Sequence, residues 1–212
     1  MTTVKDIFNH LNKLADVKLA EKWDNVGLML GSNNNEVSRV LVCLDVTTSV
    51  VEEAIANNVN LIVSHHPLIF KPLKNIDYTT DFKSRIIRNL IKNDISVISF
   101  HTNLDSATLG LNDYLAKILK LNEIQVLFEH SLDNTAGLGR IGKLTNPMKL
   151  NDFITYIKNC FSLETVSAVI GDEKEISTIA LLGGSGADFI YTLPEVDVYL
   201  TGDVGYHAAL DA

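Results

Sequence analysis

The chain has 212 residues, of which 46% are hydrophobic and 21% charged, and a formal net charge of −8. This is enough apolar material for one large folded domain or two small ones, and it excludes disorder as the default reading. The acidic balance argues against a general nucleic-acid or membrane-surface binder, which needs a basic patch, but leaves room for a nucleotide held through a metal. Cys43 and Cys160 lie far apart in apolar segments and read as buried small hydrophobes in a reducing compartment. The N-terminus carries no apolar signal core and no run approaches the about 18 residues of a membrane span, so a cytoplasmic protein is expected.

The first element is a helix that Thr3 can cap, with Val4, Ile7, Phe8, Leu11 and Leu14 on one face and His10 off that stripe. Trp23-Asp24-Asn25 forms a polar-aromatic corner before a short strand-like run ending at Gly31. Packing is the plainer role for that corner, and a substrate-pocket wall is the other. A strand follows over 37–44, ending at Asp45-Val46-Thr47, and Ser49 to Glu52 has capping-box form and opens a helix reaching about Asn57. Asp45 and Thr47 read first as caps for that helix. Strands over 60–63 and 95–100 alternate with helices over 81–93 and 109–121. Short strands rich in Val and Ile, alternating with helices, predict an open parallel sheet with strands buried on both faces. The second half gives a Gly-rich strand over 137–144, a helix over 149–161, and strands over 165–170, 176–182 and 196–200. The polar stretch between Phe128 and Gly137 is the expected boundary, giving domains 1–130 and 131–212. Tyr206 onward looks like the first turns of a helix, and the lack of a closing cap suggests a C-terminally truncated chain.

In an open α/β sheet, ligands bind beyond the carboxyl ends of the strands. The strand over 60–63 ends in Ser64-His65-His66-Pro67, and that over 95–100 leads into His101-Thr102-Asn103-Leu104-Asp105. If the two strands are parallel neighbours, three imidazoles and one carboxylate meet at one sheet edge. Adjacent side chains of an extended chain point to opposite sides. His65 and His66 therefore either grip one ion through a turn at Pro67, or hold two ions bridged by Asp105. Imidazole plus carboxylate suits Zn, Fe, Mn or Ni. His101 is either a further ligand or an outer partner and proton carrier. Gly183-Gly184-Ser185-Gly186 is either a phosphate cradle or a tight turn. Asp203 and His207 either face the site or decorate a helix.

Taken in order, Trp23-Asp24-Asn25-Val26-Gly27-Leu28, Ser64-His65-His66-Pro67-Leu68-Ile69-Phe70, His101-Thr102-Asn103-Leu104-Asp105, Gly183 to Gly186, and Thr201-Gly202-Asp203 followed by His207 resemble the Nif-three-like family over essentially the whole chain. Its members are called GTP cyclohydrolase 1 type 2 homologues. The resemblance implies two α/β domains, each with a mostly parallel or mixed sheet flanked by helices. It also implies a dinuclear centre of divalent ions held by His65, His66 and Asp105, with His101 close to the metals, and a toroidal homohexamer. His101 would then serve catalysis by shuttling the proton. Further family ligands, a histidine and a glutamate, would lie beyond Ala212, and the short span 121–137 implies no inserted domain. The expected activity is a metal-dependent hydrolase acting on a nucleotide or other phosphate-bearing substrate. A non-catalytic metal-handling or scaffold protein is the alternative.

Overall fold

A computed structural model describes residues 1–171 and 175–212. The chain divides into two compact units, Met1–Ala107 and Thr108–Ala212. No helix among the described residues is long and apolar enough to cross a membrane.

The first unit contains α1 (Val4–Asn12), β1 (Gly27–Leu30), β2 (Val40–Cys43), α2 (Thr48–Ala56), β3 (Leu61–Ser64), α3 (Phe82–Lys92), β4 (Ser96–Ser99) and α4 (Thr102–Ser106). Helix α1 starts as expected: Thr3 Oγ1 accepts from the Asp6 amide and the Asp6 carboxylate accepts from the Thr3 amide. Helix α2 starts two residues ahead of the capping box expected at Ser49, because Thr47 Oγ1 accepts from the Val50 amide. Asp45 takes no part in that cap. The sheet order is β1-β4-β3-β2, with β2, β3 and β4 parallel and β1 antiparallel at the edge. The sheet is therefore mixed rather than wholly parallel. At the end of β1 the chain turns through Gly31, whose φ is +102° and where a Cβ would run into Ser96.

Side-chain alternation along β3 and β4 builds a core on each face. Ile62 and Val97 pack with Val51 and Ala54 of α2 and with Ile86, Ile87 and Leu90 of α3. Leu61 and Ile98 pack on the other side with Val4 and Ala15. Burial on both faces holds for these two strands but not for β2, an edge strand whose Val42 is 77% exposed. Cys43 and Cys160 are free thiols, half-buried rather than buried.

The second unit contains α5 (Leu111–Ile118), β5 (Asn122–His130), β6 (Asp133–Met148), α6 (Leu150–Phe161), β7 (Ile176–Leu182), β8 (Val198–Thr201) and α7 (Tyr206–Asp211). Its sheet order is β5-β6-β7-β8, antiparallel except for the parallel pair β7–β8. The polar stretch expected to divide the domains is instead the tip of the β5–β6 hairpin, where His130 pairs with Asp133. The division between units falls earlier, at Ala107/Thr108. Residues 165–170, expected as a strand, join no ladder and are mostly exposed. The core of this unit sets Ala116 and Leu119, Phe153 and Ile157 of α6, and Ile179 and Leu181 of β7 against one another.

Candidate metal centre

Three parallel strands end in register. Cys43 of β2 pairs with Ser64 of β3, which pairs with Ser99 of β4. The ladder continues a little further: the His65 amide donates to Cys43 O, the His66 amide to Leu44 O, and the Phe100 amide to Ser64 O. Ser64 Oγ stands 2.8 Å from Ser99 Oγ and donates to His66 O at 2.9 Å, which bends the chain at the histidine pair. Asp45, His65, His66 and His101 therefore emerge side by side at the carboxyl edge of the sheet. Helix α4 then returns Asp105 to the same place.

The bend resolves the geometric objection to adjacent histidines. The rings of His65 and His66 lie 5.0 Å apart, and that of His101 lies 5.2 Å and 5.5 Å from them. One ring nitrogen of each falls within 4.8 Å of the others, a spacing that could hold a metal ion. His65 Nε2 is 3.8 Å from Asp105 Oδ1, and both side chains are largely buried.

Every Nδ1 of the three is already engaged. His65 Nδ1 lies 2.9 Å from Phe100 O, His66 Nδ1 lies 2.8 Å from Asp45 Oδ1, and His101 Nδ1 lies 2.9 Å from Asp24 Oδ1. A carbonyl and two carboxylates can only accept, so each Nδ1 carries a proton, and in the neutral ring Nε2 keeps its lone pair. Three imidazoles that each offer a ring nitrogen within 4.8 Å of the others could hold a metal ion, and an acceptor on the second nitrogen is the usual outer support of such a ligand. The residues present thus suit a metal of the borderline class that prefers imidazole and carboxylate.

Asp24 sits in the Trp23-Asp24-Asn25 corner, and no pattern in the sequence ties it to His101. Its carboxylate has no exposed side-chain surface. Besides His101 it accepts from the Thr102 amide at 3.1 Å, Thr102 Oγ1 at 2.5 Å and the Asn25 amide at 2.8 Å. Burial would raise its pKa, but the hydrogen bonds from His101 and Thr102 outweigh that and bring it down to about 2. Asp24 is therefore a carboxylate at any ordinary pH. It ties the loop before β1 to the start of α4, and so to His101.

The three other groups respond to burial differently. Burial, helped by the neighbouring His101 and His66, pushes the pKa of His65 down and keeps its lone pair available. Burial also opposes the charged form of His101, yet the hydrogen bond and charge of Asp24 more than offset it and leave the pKa raised. Burial pushes the Asp105 carboxyl up to about 6, even with His101 and His66 nearby.

The other candidates lie in the second unit. Asp203 and His207 are exposed there. The glycine loop after β7 is internally committed: the Gly183 amide donates to Asn112 Oδ1, the Gly186 amide to Thr201 Oγ1, and the Gly202 amide to Gly184 O. Those amides hold a turn together and are not aimed at an anion.

Residues 2–212 match the family model described as Duf34/NIF3 (NGG1p interacting factor 3). The chain is 38% identical to a Clostridium perfringens protein named GTP cyclohydrolase 1 type 2 homolog, over 98% of this chain and 80% of that one. A Clostridium acetobutylicum protein of the same name is 36% identical, over 98% and 78%. The crystal structure of a Staphylococcus aureus protein superposes with a TM-score of 0.90 at 32% identity, covering 99% of this chain and 82% of that chain.

Proposed function

Because the chain belongs to the Duf34/NIF3 family, with curated relatives named GTP cyclohydrolase 1 type 2 homolog, we propose that its first unit is the metal centre of a hydrolase acting on a nucleotide or similar phosphate-bearing substrate. The observation that carries this reading is the set of three imidazoles, each offering a ring nitrogen within 4.8 Å of the others and each with its Nδ1 facing an acceptor. In this reading His65, His66 and Asp105 would hold a pair of divalent ions. Ions held there would polarise the substrate and lower the pKa of a bound water towards about 7.

The chain's own residues divide the remaining work. His65, with its proton affinity lowered, is suited to ligation, which needs the neutral ring. His101, with Asp24 behind it, is suited to take up and return a proton at Nε2. Asp45 orients His66 from the more open side of the site, where both side chains are about half exposed. That openness supports a second reading, a metal-handling protein that loads and releases its ions without turnover. A homohexamer belongs to the first reading and is measured by sedimentation equilibrium.

Two experiments test the proposal. Elemental analysis of the purified protein should give close to two divalent ions per chain, and His65→Ala or His66→Ala should strip them. The metal-loaded protein, incubated with GTP and related nucleotides, should release formate or phosphate. Full metal occupancy without turnover, and with ions that a competing chelator removes readily, would favour the metal-handling reading.

A further inference from the structure

Beside the imidazole cluster stand two aromatic rings that neither the metal reading nor the core explains. Trp23 is 60% exposed and Phe70 is 39% exposed. Neither belongs to the two hydrophobic clusters of the first unit. Their rings lie 6.0 Å apart at 70° to each other. Both also meet the His101 ring edge-on, Trp23 at 6.4 Å and 77°, Phe70 at 6.3 Å and 85°. The three ring planes are thus close to mutually perpendicular and form the corner of a box.

From this corner we propose that Trp23 and Phe70 form a subsite for a flat aromatic or heteroaromatic ring on the substrate. The inference rests on reading the adjacent cluster as the reaction centre, and it adds the class of group that the centre receives. A planar ring entering such a corner can lie over one aromatic face while meeting the edge of the other, the two arrangements that ring quadrupoles favour. The walls are held in advance. Asp24, next to Trp23, is pinned by His101 and Thr102, and Asn25 Nδ2 donates to Ile69 O at 2.5 Å, joining the Trp23 segment to the Phe70 segment. Walls fixed before binding lose little conformational freedom on binding. A protein partner is a poorer occupant, since two rings supply only a small part of the roughly 800 Å² per side that a specific interface buries.

Trp23 is the single tryptophan of the chain, so emission excited where tyrosine does not absorb reports on this corner alone. The metal-loaded protein is titrated with flat-ring probes (GTP, guanosine, a pterin and nicotinamide) and with ringless ones (tripolyphosphate and ribose 5-phosphate). At least one flat-ring probe should quench Trp23 saturably, while the ringless probes should not. By calorimetry, Phe70→Ala and Trp23→Ala should each weaken that probe about tenfold, the usual scale of lost ring stacking, and leave metal content and tripolyphosphate binding unchanged. Equal binding of ringed and ringless probes, no binding of any flat ring, or wild-type affinity in Phe70→Ala would overturn the subsite. So would variants that alter only the oligomeric mass, which would mark the rings as a contact between chains. Loss of the metal reading shows separately, as absent metal or absent turnover, and flat-ring quenching would survive it.

Discussion

The wholly buried carboxylate of Asp24 accepts the Nδ1 proton of His101 at 2.9 Å, across 77 positions of sequence. His101 belongs both to the aromatic corner and to the imidazole cluster. The pair couples the loop before β1 to the end of β4, so the ring that faces the candidate metals is oriented by a residue on another strand's approach. The same carboxylate accepts from the Thr102 amide at the start of α4, which also sets where α4 delivers Asp105.

Asp24→Asn tests that coupling. The amide oxygen still accepts from Thr102, but the negative charge that favours Nδ1–H on His101 is gone. Metal-dependent turnover should fall about 10–100-fold, the range found when an outer partner of a site histidine is removed. Metal content should stay near wild type, because His65, His66 and Asp105 are untouched. Nitrogen-15 NMR should show the His101 proton shared between Nδ1 and Nε2, where the wild type holds it on Nδ1. An unchanged tautomer would show that Asp24 does not orient the ring.

The depressed pKa of Asp24 also has a signature in acid. Its folded value of about 2 lies below the 3.8 of an ordinary aspartate. The folded state therefore binds this proton more weakly than the unfolded state, and the stability it contributes is present above about pH 4 and lost as pH falls towards 2. Fully expressed, that difference is of order 2 kcal/mol. Denaturant titrations of the metal-free protein should show Asp24→Asn less stable than wild type at pH 6, with the gap closing between about pH 4 and pH 2.

Asp105 has the opposite sign. Burial raises its pKa to about 6 from 3.8. The folded metal-free protein holds this proton more tightly than the unfolded chain does. That contribution is complete below about pH 4 and is lost as pH rises through 6. Asp105→Asn should therefore match the wild-type metal-free fold in acid and exceed it at neutral pH. The same change should remove metal retention, and wild-type metal affinity should fall as pH drops through about 6, because ligation needs the carboxylate. Isothermal titration with zinc between pH 5 and pH 8, paired with urea unfolding, reads both effects.

What the sequence revealed depended on how local the cause was. Thr3 and Asp6 sit one helical turn apart, so the cap of α1 was visible in the residues. The histidines after β3 and β4 stood out because each follows an apolar run, and the parallel pairing that joins them follows from strand–helix alternation. Asp24 was not visible as a partner of His101, since nothing near it in sequence signals a contact 77 positions away. The β5–β6 hairpin was hidden by its polar tip, where Asp133 takes up the Thr135 amide and hydroxyl in a local turn. Val42 reads as a core strand residue, yet its place on the edge strand β2 leaves it 77% exposed. Strand order, which sequence pattern does not encode, decided that outcome.

A charge pair in the second unit supplies the control that separates fold from site. Arg140 is only 2% exposed. Its guanidinium donates to both oxygens of Asp113, at 2.6 Å and 2.8 Å, and to the carbonyls of Gly137 and Gly139. The Arg140 charge and the Leu109 amide hold the Asp113 pKa below the usual carboxylate range, against the effect of burial. Asp113→Ala removes one partner of a buried ion pair, a change that typically costs about 3–5 kcal/mol. The second unit should therefore lose that much stability, measured by hydrogen exchange of the β6 amides. Metal content should be unaffected, because His65, His66, His101 and Asp105 all lie in the first unit. Asp113→Glu should recover part of the loss if its longer carboxylate still reaches the guanidinium. Loss of metal from Asp113→Ala at a temperature where the first unit remains folded would contradict the assignment of the site to that unit alone.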